Sequence, residues 1–147
     1  MNASSHVCLD TDFISEYLRG QRIATNKMDQ LLDDDSIICT TPITLSELFF
    51  GAYRRNWGEK RIQLLQNFAS RLGVIPFEAE EGILAGWLRA QLVNQGIEIG
   101  YADTAIAAIV ITNEIPLVTR NIGHFENINH IEALYLNKKI KILLSSW

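Results

Sequence analysis

The sequence predicts an α/β fold, a parallel sheet covered on both faces by helices, and two observations predict it. Short apolar, β-branched runs alternate with longer segments of helical period, the order that builds parallel strands joined by crossover helices. One of the longer segments, residues 101–112 (YADTAIAAIVIT), is apolar nearly all round, so it reads as a central, buried helix. No repeat, low-complexity tract or linker interrupts the 147 residues, and the expectation is one domain over residues 1–147.

Each element has a local reason. Residues 7–9 are an apolar run ending in acids, a buried strand. A helix follows from Phe13 to Arg19, with Thr11 or Asp12 placed to cap it and Gly20 to stop it. Residues 25–32 read as a second helix, ended by Asp33-Asp34-Asp35. Residues 36–41 (SIICTT) are β-branched and apolar, a second strand. Pro42 suits the first turn of the helix over 43–55, where Leu45, Leu48, Phe49, Ala52 and Tyr53 share a face. The helix over 59–72 turns Ile62, Leu65, Phe68, Ala69 and Leu72 inward, with Gly73 as the residue that ends it. A short third strand covers 74–76. A long helix over 78–94 carries Ile83, Leu84, Trp87, Leu88 and Leu92 inward until Gly96 breaks it. Residues 116–119 (PLVT) form a fourth strand, and 141–144, inside KKIKILL, a fifth.

Composition narrows the class. Hydrophobic residues make up 48% and charged residues 20%, ordinary for a globular chain. A net charge of −4 argues against a protein that coats nucleic acid non-specifically, but a local basic patch can still hold a backbone while acids hold metal. Cys8 and Cys39 each fall in a strand, as buried reduced thiols or, given the right geometry and an oxidising compartment, a disulfide. His6, His124 and His130 have no cysteines at zinc-ligand spacing. The first residues lack the basic start and apolar run of a signal peptide, and no apolar stretch reaches membrane-spanning length, so a cytoplasmic protein without membrane contact is expected.

Four short stretches carry the chemistry: Leu9-Asp10-Thr11-Asp12, Ser46-Glu47-Leu48, Ala102-Asp103-Thr104 and Thr119-Arg120-Asn121. Open α/β sheets bind ligands outside the carboxyl ends of their strands. Asp10 and Asp12 follow the first strand, Asn121 follows the fourth, Glu47 lies about one turn into the helix after the second, and Asp103 opens the buried helix. Singly, each has a plainer reading: helix capping for Asp10 or Asp12, a solvated helix residue for Glu47, a helix-dipole partner for Asp103, turn hydrogen bonds for Thr119 and Asn121. Together, acids converging at one rim repel one another and need a cation, and oxygen-only ligation suits Mg²⁺ or Mn²⁺. Arg54, Arg55, Lys60 and Arg61 flank Trp57, either a phosphate-and-base contact or a solvated helix end with a loop tryptophan. Arg120, beside the site, is the better single candidate for a phosphate contact.

The pattern Leu9-Asp10-Thr11, Ser46-Glu47-Leu48-Phe49-Phe50-Gly51-Ala52, Gly100-Tyr101-Ala102-Asp103-Thr104-Ala105-Ile106-Ala107-Ala108 and Leu117-Val118-Thr119-Arg120-Asn121 with Phe125 resembles a PIN-domain ribonuclease. It is most similar to the VapC-type toxins of bacterial toxin–antitoxin pairs, over nearly the whole chain. The resemblance implies a PIN-like doubly wound sheet of about five mainly parallel strands flanked by helices. It implies a metal-binding triad of Asp10, Glu47 and Asp103, with Asn121 at the fourth active-site position and Thr119 as the small hydroxyl residue beside it. It further implies an endoribonuclease using Mg²⁺ (or Mn²⁺), an RNA substrate cut to a 5′ phosphate and a 3′ hydroxyl, a small antitoxin that covers the site, and a homodimer. Phe50, Trp57 or Trp147 are apolar residues suited to those protein contacts. The chain departs from the family pattern at Asp12, usually Asn, at Asn121, often Asp, and at His124, often acidic. Fewer acids on that side weaken a second metal site.

Two alternatives stand beside this reading. A degenerate PIN-like module would bind RNA or protein without cutting. A phosphatase of the haloacid dehalogenase type also begins with Asp-x-Asp, but needs a later lysine and an acidic pair after a late strand, where this chain has Thr119-Arg120-Asn121.

Overall fold

The structure, a computed structural model, describes residues 5–129 and 140–143. The apolar run before Asp10 forms β1 (His6–Leu9), SIICTT supplies β2 (Ile37–Thr40), and β3 (Gly73–Val74) and β4 (Leu117–Val118) are two-residue strands. All pair in parallel in the order β3-β2-β1-β4. The chain steps outward from β1 to β3, then crosses back to lay β4 on the other side of β1. That reversal leaves a crevice at the carboxyl ends of β1 and β4. Where a fifth strand is expected, Ile142 makes an isolated parallel bridge to Leu117. Leu117 N–H donates to the Lys141 carbonyl at 2.8 Å and Leu143 N–H to the Leu117 carbonyl at 2.9 Å. Leu144 lies outside the described residues.

Seven helices accompany these strands among the described residues: α1 (Thr11–Leu18), α2 (Arg22–Asp33), α3 (Pro42–Arg54), α4 (Glu59–Ala69), α5 (Ala79–Asn94), α6 (Tyr101–Asn113) and α7 (Ile122–Asn129). Strand side chains alternate between faces, so β1 feeds two cores. Cys8 packs on one side with Leu88 and Leu92 of α5, Ile106 and Ile109 of α6, and Phe125 of α7. Val7 and Leu9 pack on the other with Phe13 and Ile14 of α1 and Met28 and Leu31 of α2. The all-round apolar helix is central as its pattern requires, with every residue from Thr104 to Ile111 buried.

Several expectations need correction. Gly73 does not end α4, whose C-cap is Ser70; it opens β3. A Cβ there would lie 3.0 Å from Cys39 Sγ, and that close approach is what the glycine permits. Tyr53 and Ile83 are exposed, because the cores take Ala52 on α3 and Ala85 on α5 in their place. α7 was not expected at all; its apolar content is only Ile122, Phe125 and Ile128. Asp10 caps α1, as its plainer reading has it, while Thr11 and Asp12, the other cap candidates, both lie inside the helix. Cys8 and Cys39 are register partners on neighbouring strands and are free thiols, the first of the two readings given for them; burial pushes Cys8 well above the ordinary cysteine value and raises Cys39.

Candidate active site

β1 ends by delivering Asp10 into the crevice, where its backbone N–H donates to the Val118 carbonyl at 3.0 Å. Its carboxylate is buried, only 2% exposed. Both oxygens are held: Oδ1 accepts from the Thr11 backbone N–H at 2.7 Å, and Oδ2 from the Thr119 hydroxyl at 2.6 Å. Thr119 follows β4 directly, so the β1–β4 pairing itself brings residues 10 and 119 together. The Thr119 hydroxyl also accepts from the Asn121 backbone N–H at 3.0 Å, which fixes the start of α7. Burial pushes the Asp10 carboxyl up to about 6; its two hydrogen bonds oppose this, and the negative charges of Asp103 and Asp12 add to it.

The other two acids approach from separate helices. Glu47 stands on α3 and is exposed, in line with its plainer reading as a solvated helix residue. It is tied to the crevice by the Thr11 hydroxyl, which donates to Glu47 Oε1 at 2.6 Å. Thr11 thus holds Asp10 through its amide and Glu47 through its side chain. Asp103 sits in the first turn of α6, half-buried, and its Oδ2 lies 2.6 Å from His124 Nδ1 on α7. A carboxylate only accepts, so the imidazole proton belongs on Nδ1.

Asp10 and Asp103 are therefore near enough to interact through charge, and Glu47 is joined to Asp10 through Thr11. Among the described residues, no group of three or more His, Cys, Asp or Glu side chains is drawn tightly enough to hold an ion as it stands. Glu47 and Asp103 each direct an oxygen at a hydrogen-bond donor, Thr11 and His124. The donor set nonetheless fits a hard divalent ion: the three acids offer only oxygen, and one is a buried carboxyl whose charge is resisted by burial and by two further acids.

Thr119 is wholly buried and donates its hydroxyl hydrogen bond to Asp10, so it is not placed to touch substrate. Arg120 turns outward, its Nε 3.6 Å from Glu16 on α1. With Asp12 and Asn121 it lines a cavity of about 450 Å³. Sequence reasoning left three participants without a role. Thr11 stands inside a motif singled out above and His124 is named there only as a departure from the family pattern; residue type alone could have nominated both as donors. Arg19, on the rim of the same cavity, carried no signal, since it closes a helix in a polar stretch.

A family model for the PIN domain matches residues 7–131. The chain belongs to the PIN-domain family, within the VapC ribonucleases. It is 32% identical to ribonuclease VapC2 of Haemophilus influenzae over 91 residues, covering 62% of this chain and 69% of that protein. It is 31% identical to the tRNA(fMet)-specific endonuclease VapC of Shigella flexneri over 96 residues, 65% of this chain and 73% of that one. In three dimensions it is similar to VapBC2 from Rickettsia felis, solved bound to a DNA fragment from the promoter. There the TM-score is 0.73 and identity 30%, over 83% of this chain and 92% of that one.

Proposed function

We propose that this protein is the toxin of a toxin–antitoxin pair, an endoribonuclease that depends on Mg²⁺ or Mn²⁺ held by Asp10, Glu47 and Asp103. The observation that carries the reading is the buried Asp10 carboxyl, held in one orientation by Thr11 and Thr119 and pushed up to about 6 by burial and by nearby acids. A group so placed favours a bound cation over an isolated negative charge. When present, the ion supplies a more acidic water and charge stabilisation at the phosphodiester.

The chain's own side chains do the positioning. Thr119 fixes Oδ2 of Asp10, Thr11 aligns Glu47, and His124 orients Asp103. Asn121, beside Asp12 on the cavity wall, and Arg120 face the place where a phosphate would approach. Products would carry a 5′ phosphate and a 3′ hydroxyl. The phosphatase alternative falls with the family assignment.

A small antitoxin is the first proposed protein partner, supported by the VapBC complex among the solved relatives, and a second copy of the chain is the other. Phe50, 66% exposed on α3, is one described apolar residue available for such a contact; Trp147 lies outside the described residues. No described helix is long and apolar enough to cross a membrane.

The test is cleavage of RNA by the purified protein with Mg²⁺ or Mn²⁺, against the same reaction in EDTA and against Asp103→Asn. Metal-dependent cleavage lost in the variant supports the reading. Undiminished cleavage by Asp103→Asn, beside a clean metal-dependent wild type, defeats the site assignment. A wild type that binds RNA and never cuts it would leave a non-catalytic PIN module.

A further inference from the structure

A second cavity, of about 550 Å³, opens beside the acids. Its walls include Thr11 and Glu47 of the candidate site together with Arg19, Arg55, Trp57 and Arg61. Three arginines therefore face one glutamate, in a chain whose net charge is −4. Among the described residues, no carboxylate lies within ion-pair distance of Arg19, Arg55 or Arg61. Arg61 is fixed in another way: its guanidinium carbon sits 3.9 Å from the centroid of the Trp57 ring. A stacked guanidinium keeps its planar fork of donors preorganised.

The smaller cavity carrying Arg120 and Asn121 shares Ser15, Arg19 and Arg55 with this one. The two therefore meet at Arg19 and Arg55, one reaching Thr11 and Glu47, the other Asp12 and Asn121. Of the four cations flanking Trp57 in the sequence, only Arg55 and Arg61 line the cavity; Arg54 and Lys60 do not, and Arg19 joins from the end of α1.

We infer that the Arg19–Arg55–Trp57–Arg61 cavity is a nucleotide subsite, which holds the RNA residue next to the scissile phosphodiester. This rests on the ribonuclease reading above and adds to it where the strand runs. Arg19 and Arg55 grip the backbone phosphate where the two cavities join. The Arg61–Trp57 stack offers a flat cationic surface to a base or a fixed fork to the next phosphate. Single-stranded RNA is the ligand class that matches these features together, since it alternates phosphate with planar rings. A volume of about 550 Å³ lies in the range of small-ligand sites.

The probe is a fluorescein-labelled single-stranded RNA 12-mer of mixed sequence, bound in EDTA and followed by anisotropy across a salt series. Cleavage of the same RNA with Mn²⁺ is measured in parallel. Arg19→Gln and Arg55→Gln are each expected to raise the Kd five- to tenfold. The slope of log Kd against log salt should flatten by roughly 0.7 for each phosphate contact removed. Trp57→Leu should weaken binding about as much, and Trp57→Phe should restore most of it. Arg89→Gln, on the wall of a different cavity, should leave Kd within twofold of wild type.

Unchanged RNA affinity in Arg19→Gln, Arg55→Gln and Trp57→Leu, with a wild type that still cuts, overturns the subsite and leaves the nuclease standing. The same holds if those variants keep RNA affinity and lose only a co-expressed partner protein, for the cavity is then a protein site. A wild type that neither binds nor cuts the RNA overturns the ribonuclease reading and the subsite with it.

Discussion

Asp10→Asn should stabilise the metal-free protein at neutral pH and do little for it in acid. The substitution keeps the shape and the hydrogen bonds: Asn Oδ1 still accepts from the Thr11 amide, and the Thr119 hydroxyl can rotate to accept from the new amide. What disappears is the charge. Burial raises the Asp10 carboxyl from 3.8 to about 6, so the folded state binds this proton more tightly than the unfolded chain does. That preference favours the fold fully below pH 3.8 and is lost as pH rises through about 6. The displacement corresponds to roughly 3 kcal/mol. In urea melts in EDTA, the stability of Asp10→Asn minus that of wild type should therefore grow by about 2.4 kcal/mol between pH 4 and pH 7.5. Other carboxylates titrate in both proteins and cancel in the difference. Adding Mn²⁺ at about a hundred times its Kd should then return about 2.7 kcal/mol to wild type and nothing comparable to the variant. If the two EDTA profiles run parallel from pH 4 to 7.5, Asp10 carries an ordinary carboxyl and the argument for a cation beside it fails.

Further predictions concern the groups around that carboxyl. Thr119→Val removes the donor to Asp10 Oδ2 and the acceptor of the Asn121 amide, both buried or nearly so. It should cost about 2 kcal/mol in chemical denaturation, with Thr119→Ser recovering most of it. Because the Thr119 bond lowers the Asp10 pKa, the variant's cleavage should also rise at a higher pH than wild type; an unshifted pH–rate profile would count against the contact. Thr11→Val should slow RNA cleavage about tenfold, roughly 1.4 kcal/mol, by releasing Glu47, while melting changes little and Thr11→Ser cleaves normally. Gly73→Ala should destabilise by about 1–3 kcal/mol, since the new methyl meets Cys39 Sγ at 3.0 Å; Gly73→Ala combined with Cys39→Ala should be less than additive in the same melts.

What the sequence made legible follows from periodicity. α6 was readable because an all-round apolar helix has few places to go but the centre. β1 and β2 were readable because β-branched runs bounded by polar residues leave little choice. β3 and β4 are two residues long, shorter than the expected strands over 74–76 and 116–119, because so few residues leave the ends of an apolar run undefined. α7 carries its apolar residues at 122, 125 and 128, a sparse pattern that docking against α6 completes and local sequence does not declare. The same distinction holds at the crevice. Asp10, Glu47 and Asp103 were nominated by residue type and order, whereas the pairing of Asp10 with Thr119 spans 109 positions and exists only because β4 lies beside β1. Glu47 stands on the exposed side of α3, where its plainer reading puts it, and Thr11 rather than burial ties it to the site.

The three acids share one design, and it explains how the crevice can stand without collapse. Each is answered by one donor from elsewhere in the chain: Asp10 by Thr119, Glu47 by Thr11, Asp103 by His124. The two threonines bring no charge, so they orient carboxylates without neutralising them. The electrostatic demand at Asp10 therefore persists in the folded protein, where a compensating lysine or arginine would have removed it. The arginines are placed one step away, with Arg120 turned toward Glu16 and Arg19 and Arg55 at the junction of two cavities. Positive charge sits where a polyanion would be gripped, and uncompensated negative charge sits where a small cation would be bound. Bringing one arginine into the crevice would destroy that separation. Thr119→Arg, if it folds, should therefore lower the Asp10 pKa and weaken Mn²⁺ binding together, whereas loss of Arg55 should weaken RNA binding and leave manganese affinity, read by calorimetry, unaltered.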